Sequence, residues 1–108
     1  MSDRAARIRA LNDRMRTTLT GRIMLTNGVL NLPDGALAQV ISKVRAFDQF
    51  SNDNDPYGEH DFGAVELDGD TYFFKFDYYD RAMQCGSEDP ADEAKTTRVM
   101  TIMCASEY

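Results

Sequence analysis

Two alternating segments joined by a tight turn constrain the fold of this chain more than any other feature. Segments 62–67 and 71–79 have the period of two that is typical of β-strands. Asp68-Gly69 lies between them, and it signals a hairpin because both residue types tolerate the positive φ of a tight turn. One face of the second segment is wholly aromatic, with Tyr72, Phe74, Phe76 and Tyr78. The sequence therefore predicts an antiparallel hairpin with an aromatic face turned toward a core.

Two further segments have the spacing of amphipathic helices. The first is expected to begin at an N-cap, Ser2, and to end at Gly21. Its apolar residues recur at three- and four-residue spacing, at Ile8, Leu11, Met15 and Leu19. Its arginines fall largely off that stripe, either on a solvated face or paired with acidic residues: Arg4, Arg7, Arg9, Arg14 and Arg16. The second helix opens at Leu32-Pro33-Asp34, and its buried face comprises Leu37, Val40, Ile41, Val44 and Phe47.

The remaining segments complete a single domain. Arg22 to Thr26 is predicted to be a short strand that is followed by a turn at Asn27-Gly28. Residues 98–104 favour a strand over a helix, because they are rich in β-branched side chains and follow a hairpin. A chain of 108 residues has the size of one domain, so residues 1–108 are expected to fold together. The predicted fold class is α+β, with two helices packed on a small, mainly antiparallel sheet.

Charge is divided unevenly along the chain. Residues 1–45 carry eight basic and three acidic side chains, whereas residues 46–108 carry four basic and fifteen acidic ones. Residues 48–70 contain no Lys or Arg but eight carboxylates: Asp48, Asp53, Asp55, Glu59, Asp61, Glu66, Asp68 and Asp70. Clustered carboxylates repel one another, so a fold either disperses them over a solvated face or uses them on a basic partner. The acidic excess argues against direct binding to nucleic acid.

The segment NDNDPYGEHDFG contains the only histidine, His60, between Glu59 and Asp61. An enzyme centred on these three residues would use His60 as a general base oriented by a carboxylate. This interpretation lacks a nucleophile, because Ser51 and Ser87 lie in no recognisable nucleophile elbow and neither cysteine has a motif around it. A cation site in the same segment fits poorly, because a calcium loop starting at Asp53 places Ala64 where a bidentate Glu is required.

A structural loop and a partner-binding face are the competing interpretations of this segment. In a structural loop, Asn and Asp bond the nearby backbone, Pro56 and Gly58 shape the turns, and Tyr57 and Phe62 anchor the loop to the core. In a partner-binding face, Tyr57 is instead an aromatic anchor within a carboxylate cluster. The residues predicted to bind a partner are Asp53, Asp55, Tyr57, Glu59, Asp61, Glu66, Asp68 and Asp70.

Four long motifs, NDPYGEHDFG, FKFDYYDRA, SEDPAD and TTRVMTIMCASEY, occur in this order. They resemble a family of small bacterial proteins classed as a domain of unknown function, over a span from about Leu11 to Tyr108. The resemblance implies genes carried by phages, plasmids and other mobile elements, and it supplies no established catalytic residues. Small acidic proteins of such elements resemble inhibitors of host defence, and this chain resembles type I anti-CRISPR proteins in particular.

The resemblance and the acidic stretch together predict an inhibitory binding protein that blocks a host nucleic-acid-handling defence complex. Carboxylates would imitate phosphates and engage the basic surface of a host protein or CRISPR effector complex. No catalytic residue, metal or cofactor is expected, and a monomer is favoured. The alternatives are a small His/carboxylate- or metal-dependent enzyme centred on Glu59, His60 and Asp61, and a toxin–antitoxin or regulatory partner.

Localisation is predicted from the apolar runs. The charged N-terminus lacks the apolar core of a signal peptide. No apolar run approaches the ~18 residues that indicate a membrane span. A cytoplasmic protein without membrane contact is therefore expected.

Overall fold

Residues 3–108 are described by a computed structural model, in which helices pack on a four-stranded sheet. The elements are α1 (Asp3–Thr18), β1 (Arg22–Leu25), α2 (Asn27–Leu30), α3 (Asp34–Ala46), β2 (Phe62–Leu67), β3 (Asp70–Tyr79), β4 (Thr97–Cys104) and a final 3-10 turn (Ala105–Glu107). The predicted N-cap Ser2 lies outside the described residues. None of the helices within residues 3–108 has the length and apolar character needed to cross a membrane.

The sheet confirms the predicted α+β class. Its strand order is β1-β4-β3-β2, with β1 parallel to β4 and the other two pairs antiparallel. The predicted hairpin is β2–β3, which pairs Phe62 with Lys75 and Leu67 with Asp70. Asp68 and Gly69 form its turn at φ +55° and +84°, the left-handed conformation that the Asp-Gly pair predicted. The strand predicted at residues 98–104 is β4.

The core lies between the aromatic face of β3 and the helices. Tyr72, Phe74 and Phe76 are buried, and the buried face of α3 packs against them through Val40 and Val44. β2 comes close to the ring of Phe74 because residue 63 is glycine. A Cβ at that position would lie 2.5 Å from a ring carbon of Phe74, well inside van der Waals contact.

The strand boundaries lie within one residue of the predicted ones, but the helices differ from the prediction at two places. α1 ends at Thr18, before the predicted end at Gly21. Leu19 then takes the left-handed conformation (φ +54°), and its N–H donates to the carbonyl of Met15 at 2.8 Å. Asn27-Gly28 is not an isolated turn but the start of α2, a third helix of one turn. The Glu107 carboxylate, in the C-terminal 3-10 turn, accepts a hydrogen bond from the Gly28 N–H at 2.9 Å. This bond satisfies one of the free N–H donors at the start of α2.

The buried face of α1 is more polar than its apolar stripe predicted. Ile8, Asn12 and Arg16 are buried at four-residue intervals, whereas Leu11 and Met15 are only half-buried. The prediction that Arg16 lies off the stripe is therefore wrong. Its guanidinium donates to the carbonyls of residues 44, 45 and 47 at 2.9 to 3.1 Å, where α3 ends. A buried cation thus replaces water at the free carbonyls of a neighbouring helix.

Glu107 ties the C-terminus to the start of α2, and its ionised carboxylate is expected to stabilise the fold in a pH-dependent way. Its carboxylate accepts hydrogen bonds from the Thr26 hydroxyl at 2.5 Å, the Cys104 N–H at 2.8 Å and the Gly28 N–H at 2.9 Å. These bonds, the one from Thr26 foremost, lower the pKa of Glu107 from 4.5 to about 2. Because the pKa of Glu107 is lower in the folded than in the unfolded state, its ionised carboxylate stabilises the fold above pH 4.5. This stabilisation is lost as the pH falls from about 4.5 toward 2.

We therefore expect Glu107→Gln to lower Tm at pH 7, and the difference from the wild type to shrink steadily below pH 4.5 until it vanishes near pH 2. Melting curves followed by circular dichroism across this range measure the difference. If the Tm of Glu107→Gln were lower than that of the wild type by the same amount at every pH, this result would contradict a role for the ionised carboxylate.

Candidate functional site

His60 is held on three sides by other side chains. Its Nδ1 lies 2.9 and 3.1 Å from the two carboxylate oxygens of Asp13 on α1. Its Nε2 lies 3.8 Å from Oδ2 of Asp55, and its ring stacks on Phe50 at a centroid distance of 3.8 Å. The imidazole is therefore fixed between a helix and its own loop, with only 25% of the side chain exposed.

Asp55 organises the loop that carries His60. Its buried Oδ1 accepts the backbone N–H groups of Glu59 and His60, both at 3.0 Å. The Asp55 N–H donates to the carbonyl of Ser51 at 2.8 Å. These contacts match the structural-loop interpretation, in which Asp side chains bond nearby backbone. The predicted anchoring of the loop by Tyr57 is wrong, because that ring is 77% exposed.

Glu59 belongs to a polar network beneath α1. Its Oε1 accepts a hydrogen bond from the Tyr78 hydroxyl at 3.0 Å. The same hydroxyl accepts a hydrogen bond from the Asn12 amide nitrogen at 2.9 Å. Asn12 is fully buried, and its oxygen accepts Nε of Arg98 at 2.7 Å. Burial raises the pKa of Tyr78, so the phenol stays protonated and remains a donor. Burial, followed by the charge of Glu59, also raises the pKa of Asp61.

Two residues of the predicted enzyme site, Glu59 and His60, are bonded to other side chains of the protein. Both imidazole nitrogens face carboxylates of the protein, and the Glu59 carboxylate accepts a bond from Tyr78. Four clefts of about 430 to 840 Å³ among the described residues are lined by other side chains. Between residues 3 and 108 no three His, Cys, Asp or Glu side chains are arranged to hold a metal ion.

The eight residues predicted to bind a partner fall into two groups at opposite ends of β2. The loop group comprises Asp53, Asp55, Tyr57, Glu59 and Asp61, and the hairpin group comprises Glu66, Asp68 and Asp70. A six-residue strand separates them by roughly 17 Å, at ~3.3 Å per residue. Only Asp53 and Tyr57 of the loop group are exposed, whereas all three residues of the hairpin group are.

Four of the later acidic residues form ion pairs, namely Asp77, Glu88, Asp89 and Glu93, whereas in the described part of the chain the exposed carboxylates of the stretch 48–70 do not. Asp89 pairs with Arg4 at 3.2 Å, and Glu93 pairs with Arg14 at 3.0 Å. Two arginines of α1 therefore pair with the acidic half of the chain, which the sequence left open. Within residues 3–108, the exposed carboxylates of the stretch form no ion pair with Lys, Arg or His: Asp48, Asp53, Glu66, Asp68 and Asp70.

Sequence reasoning missed Asn12, Asp13 and Phe50, which hold Glu59 and His60 in place. The one signal for Asn12 was its position four residues after Ile8 and four before Arg16. Polar residues at that spacing ordinarily mark the solvated face of a helix, so the pattern favoured the opposite assignment.

Comparisons with known proteins identify a family but no function. No curated protein and no solved structure matches the chain. A family described as "Protein of unknown function (DUF3768)" matches residues 25–107. The match begins at Leu25, the last residue of β1, so it leaves out α1, which the expected similarity from about Leu11 partly included. Because this match covers most of the sequence, the chain belongs to the DUF3768 family of proteins of unknown function.

Proposed function

We propose that this protein is an inhibitory binding protein whose exposed carboxylates occupy a basic, nucleic-acid-binding surface of a host complex. The observation that supports this best is the set of unpaired carboxylates in residues 48–70, since the acidic residues at 88, 89 and 93 are paired within the chain. Unpaired like charges repel one another, and this repulsion is relieved when a cationic partner binds.

The hairpin group forms the most ordered part of the proposed surface. Glu66, Asp68 and Asp70 lie within five residues around a turn fixed by paired strands on both sides. Because this arrangement exists before binding, little conformational entropy is lost when a partner engages it. Ordered carboxylates are what an imitation of the phosphate backbone requires.

Tyr57 provides the aromatic anchor of the proposed interface. It is 77% exposed and lies in the same loop as the exposed Asp53. Large exposed aromatic side chains supply much of the energy of protein interfaces. A standard interface of ~800 Å² per partner is about 30 Å across, wide enough to include both the loop group and the hairpin group.

We propose the DNA-recognition complex of a type I CRISPR system as the target, because its Lys and Arg side chains hold phosphates along duplex DNA. The resemblance of the motifs to proteins of mobile elements supports this choice. The inhibition would be competitive, since protein carboxylates and DNA phosphates would occupy the same cationic groups.

The test is competition with DNA for the purified complex. We expect the wild type to displace DNA at 0.1 M salt and to lose this ability toward 1 M salt, where the Debye length falls from ~10 Å to ~3 Å. The variant Glu66→Gln/Asp68→Asn/Asp70→Asn should associate at least about tenfold more slowly. Asn tolerates the positive φ at residue 68, so the turn should survive.

A matched control removes three exposed carboxylates elsewhere: Asp3→Asn/Asp34→Asn/Glu88→Gln. It has the same net charge as the test variant and should inhibit within about twofold of the wild type. Equal losses in both variants would show a net-charge effect rather than a defined surface. If the protein displaced DNA equally well at low and high salt, this result would contradict the electrostatic mechanism.

A further inference from the structure

A cleft of about 540 Å³ has the opposite charge character to the rest of this acidic protein. Four arginines and a single glutamate line it, although the chain as a whole has a net charge of −6. The arginines come from four separate parts of the fold: Arg14 from α1, Arg22 from the start of β1, Arg81 from the turn after β3, and Arg98 from β4. Tertiary structure, and not a local run of basic residues, brings these charges together.

Arg98 is a buried cation without a carboxylate partner. Only 7% of the residue is exposed, and no described Asp or Glu lies within ion-pair distance of it. Its Nε donates to Asn12, its Nη2 donates to the carbonyl of Pro90, and its guanidinium lies 5.2 Å from the ring centre of Tyr78. Nη1 forms no hydrogen bond to any residue between 3 and 108. Burying a charge is costly unless a counter-charge accompanies it, so an anion bound in the cleft would stabilise the Arg98 guanidinium.

The other three arginines leave further donors available. Arg14 forms an ion pair with Glu93, the only acidic residue of the cleft, at 3.0 Å. Arg81 donates to the backbone carbonyl of Glu93 at 3.4 Å, and Arg22 forms no hydrogen bond or ion pair with the described residues. Arg22, Arg81 and Arg98 therefore border the cleft without an ion pair to a described carboxylate.

We propose that this cleft binds a small, multiply charged phosphate compound. Guanidinium groups match phosphate oxygens in bidentate geometry, and groups arriving from several directions suit a tetrahedral phosphoryl group better than a planar carboxylate. Thr97 contributes a hydroxyl to the lining. The volume lies within the range of small-molecule sites, ~300–1,000 Å³. Because the cleft contains no residue of the acidic stretch, this site is independent of the proposed inhibitory surface.

Pyrophosphate is the probe, and binding is measured by titration calorimetry and by the rise in Tm. We expect saturable binding to the wild type, with Kd below about 1 mM, and weaker binding of inorganic phosphate. Sodium chloride at the same ionic strength should not reproduce the rise in Tm. Citrate tests for a carboxylate ligand and should bind at least about tenfold more weakly than pyrophosphate.

The variant Arg22→Gln/Arg81→Gln removes two exposed side chains of the cleft and should raise Kd for pyrophosphate at least about tenfold. The control Arg7→Gln/Lys43→Gln removes two exposed charges outside this cleft and should stay within about twofold of the wild type. Melting curves without ligand verify that both variants fold. Absence of saturable pyrophosphate binding up to about 10 mM, equal weakening in both variants, or tighter binding of citrate would each overturn the proposal.

Discussion

Replacement of Arg16 with methionine is expected to lower the free energy of unfolding by about 4 kcal/mol, a fall in Tm of roughly 15 to 30 °C for a domain of this size. The side chain is 4% exposed, and its guanidinium donates to the carbonyls of Val44, Arg45 and Phe47 at the end of α3. Bonds from a charged donor are worth ~1.5–3 kcal/mol each, and the two hydrogens of Nη1 are shared among three carbonyls that would lose their partner. Methionine retains much of the packing volume, so the loss isolates the polar contacts.

The measurement is denaturant unfolding at neutral pH, with Arg7→Met as the control. Arg7 lies on the same helix but is exposed, so its replacement should change stability by no more than about 0.5 kcal/mol. Since the Arg16 side chain also bonds Asp13 at 3.1 Å, the variant should loosen the support of His60 as well. Equal stabilities of the two variants would show that the end of α3 does not depend on Arg16.

The second large effect is expected at Asp55. Asp55→Ala removes the carboxylate that accepts the N–H groups of Glu59 and His60, and it should cost about 3 kcal/mol because both amides lose a charged acceptor. Asp55→Asn keeps an acceptor oxygen and should cost less than half as much. Denaturant unfolding gives the free energies, and hydrogen exchange at residues 59 and 60 reports the loop directly.

Asp53→Ala is the matched control, because Asp53 lies in the same loop with an exposed side chain. It should change stability by no more than about 0.5 kcal/mol. Under the proposed function it should instead slow association with the basic partner. Similar destabilisation by Asp53→Ala and Asp55→Ala would contradict the assignment of Asp55 to loop structure and of Asp53 to the surface.

The local elements were predictable because their signals act over a few residues. The alternation in β2 and β3, the Asp-Gly turn and the start of α3 after Pro33 each depend on backbone conformation or on side chains two to four positions apart. The site was less predictable, since its contacts join distant segments. His60 meets Asp13 across 47 residues, and Asn12 meets Arg98 across 86. No local pattern contains these pairs.

The sequence by itself determined the α+β class, the hairpin with its aromatic face, the helix α3 and the unequal distribution of charge, because periodicity, turn chemistry and composition are properties of the chain. Only the tertiary structure decided which charges are exposed and which are internal. It buried Arg16 and Asp55 by giving them backbone partners, and it collected four arginines in one cleft. The physical reason is that the cost of burying a charge depends on the partners found there, and these partners are set by how the helices and strands pack.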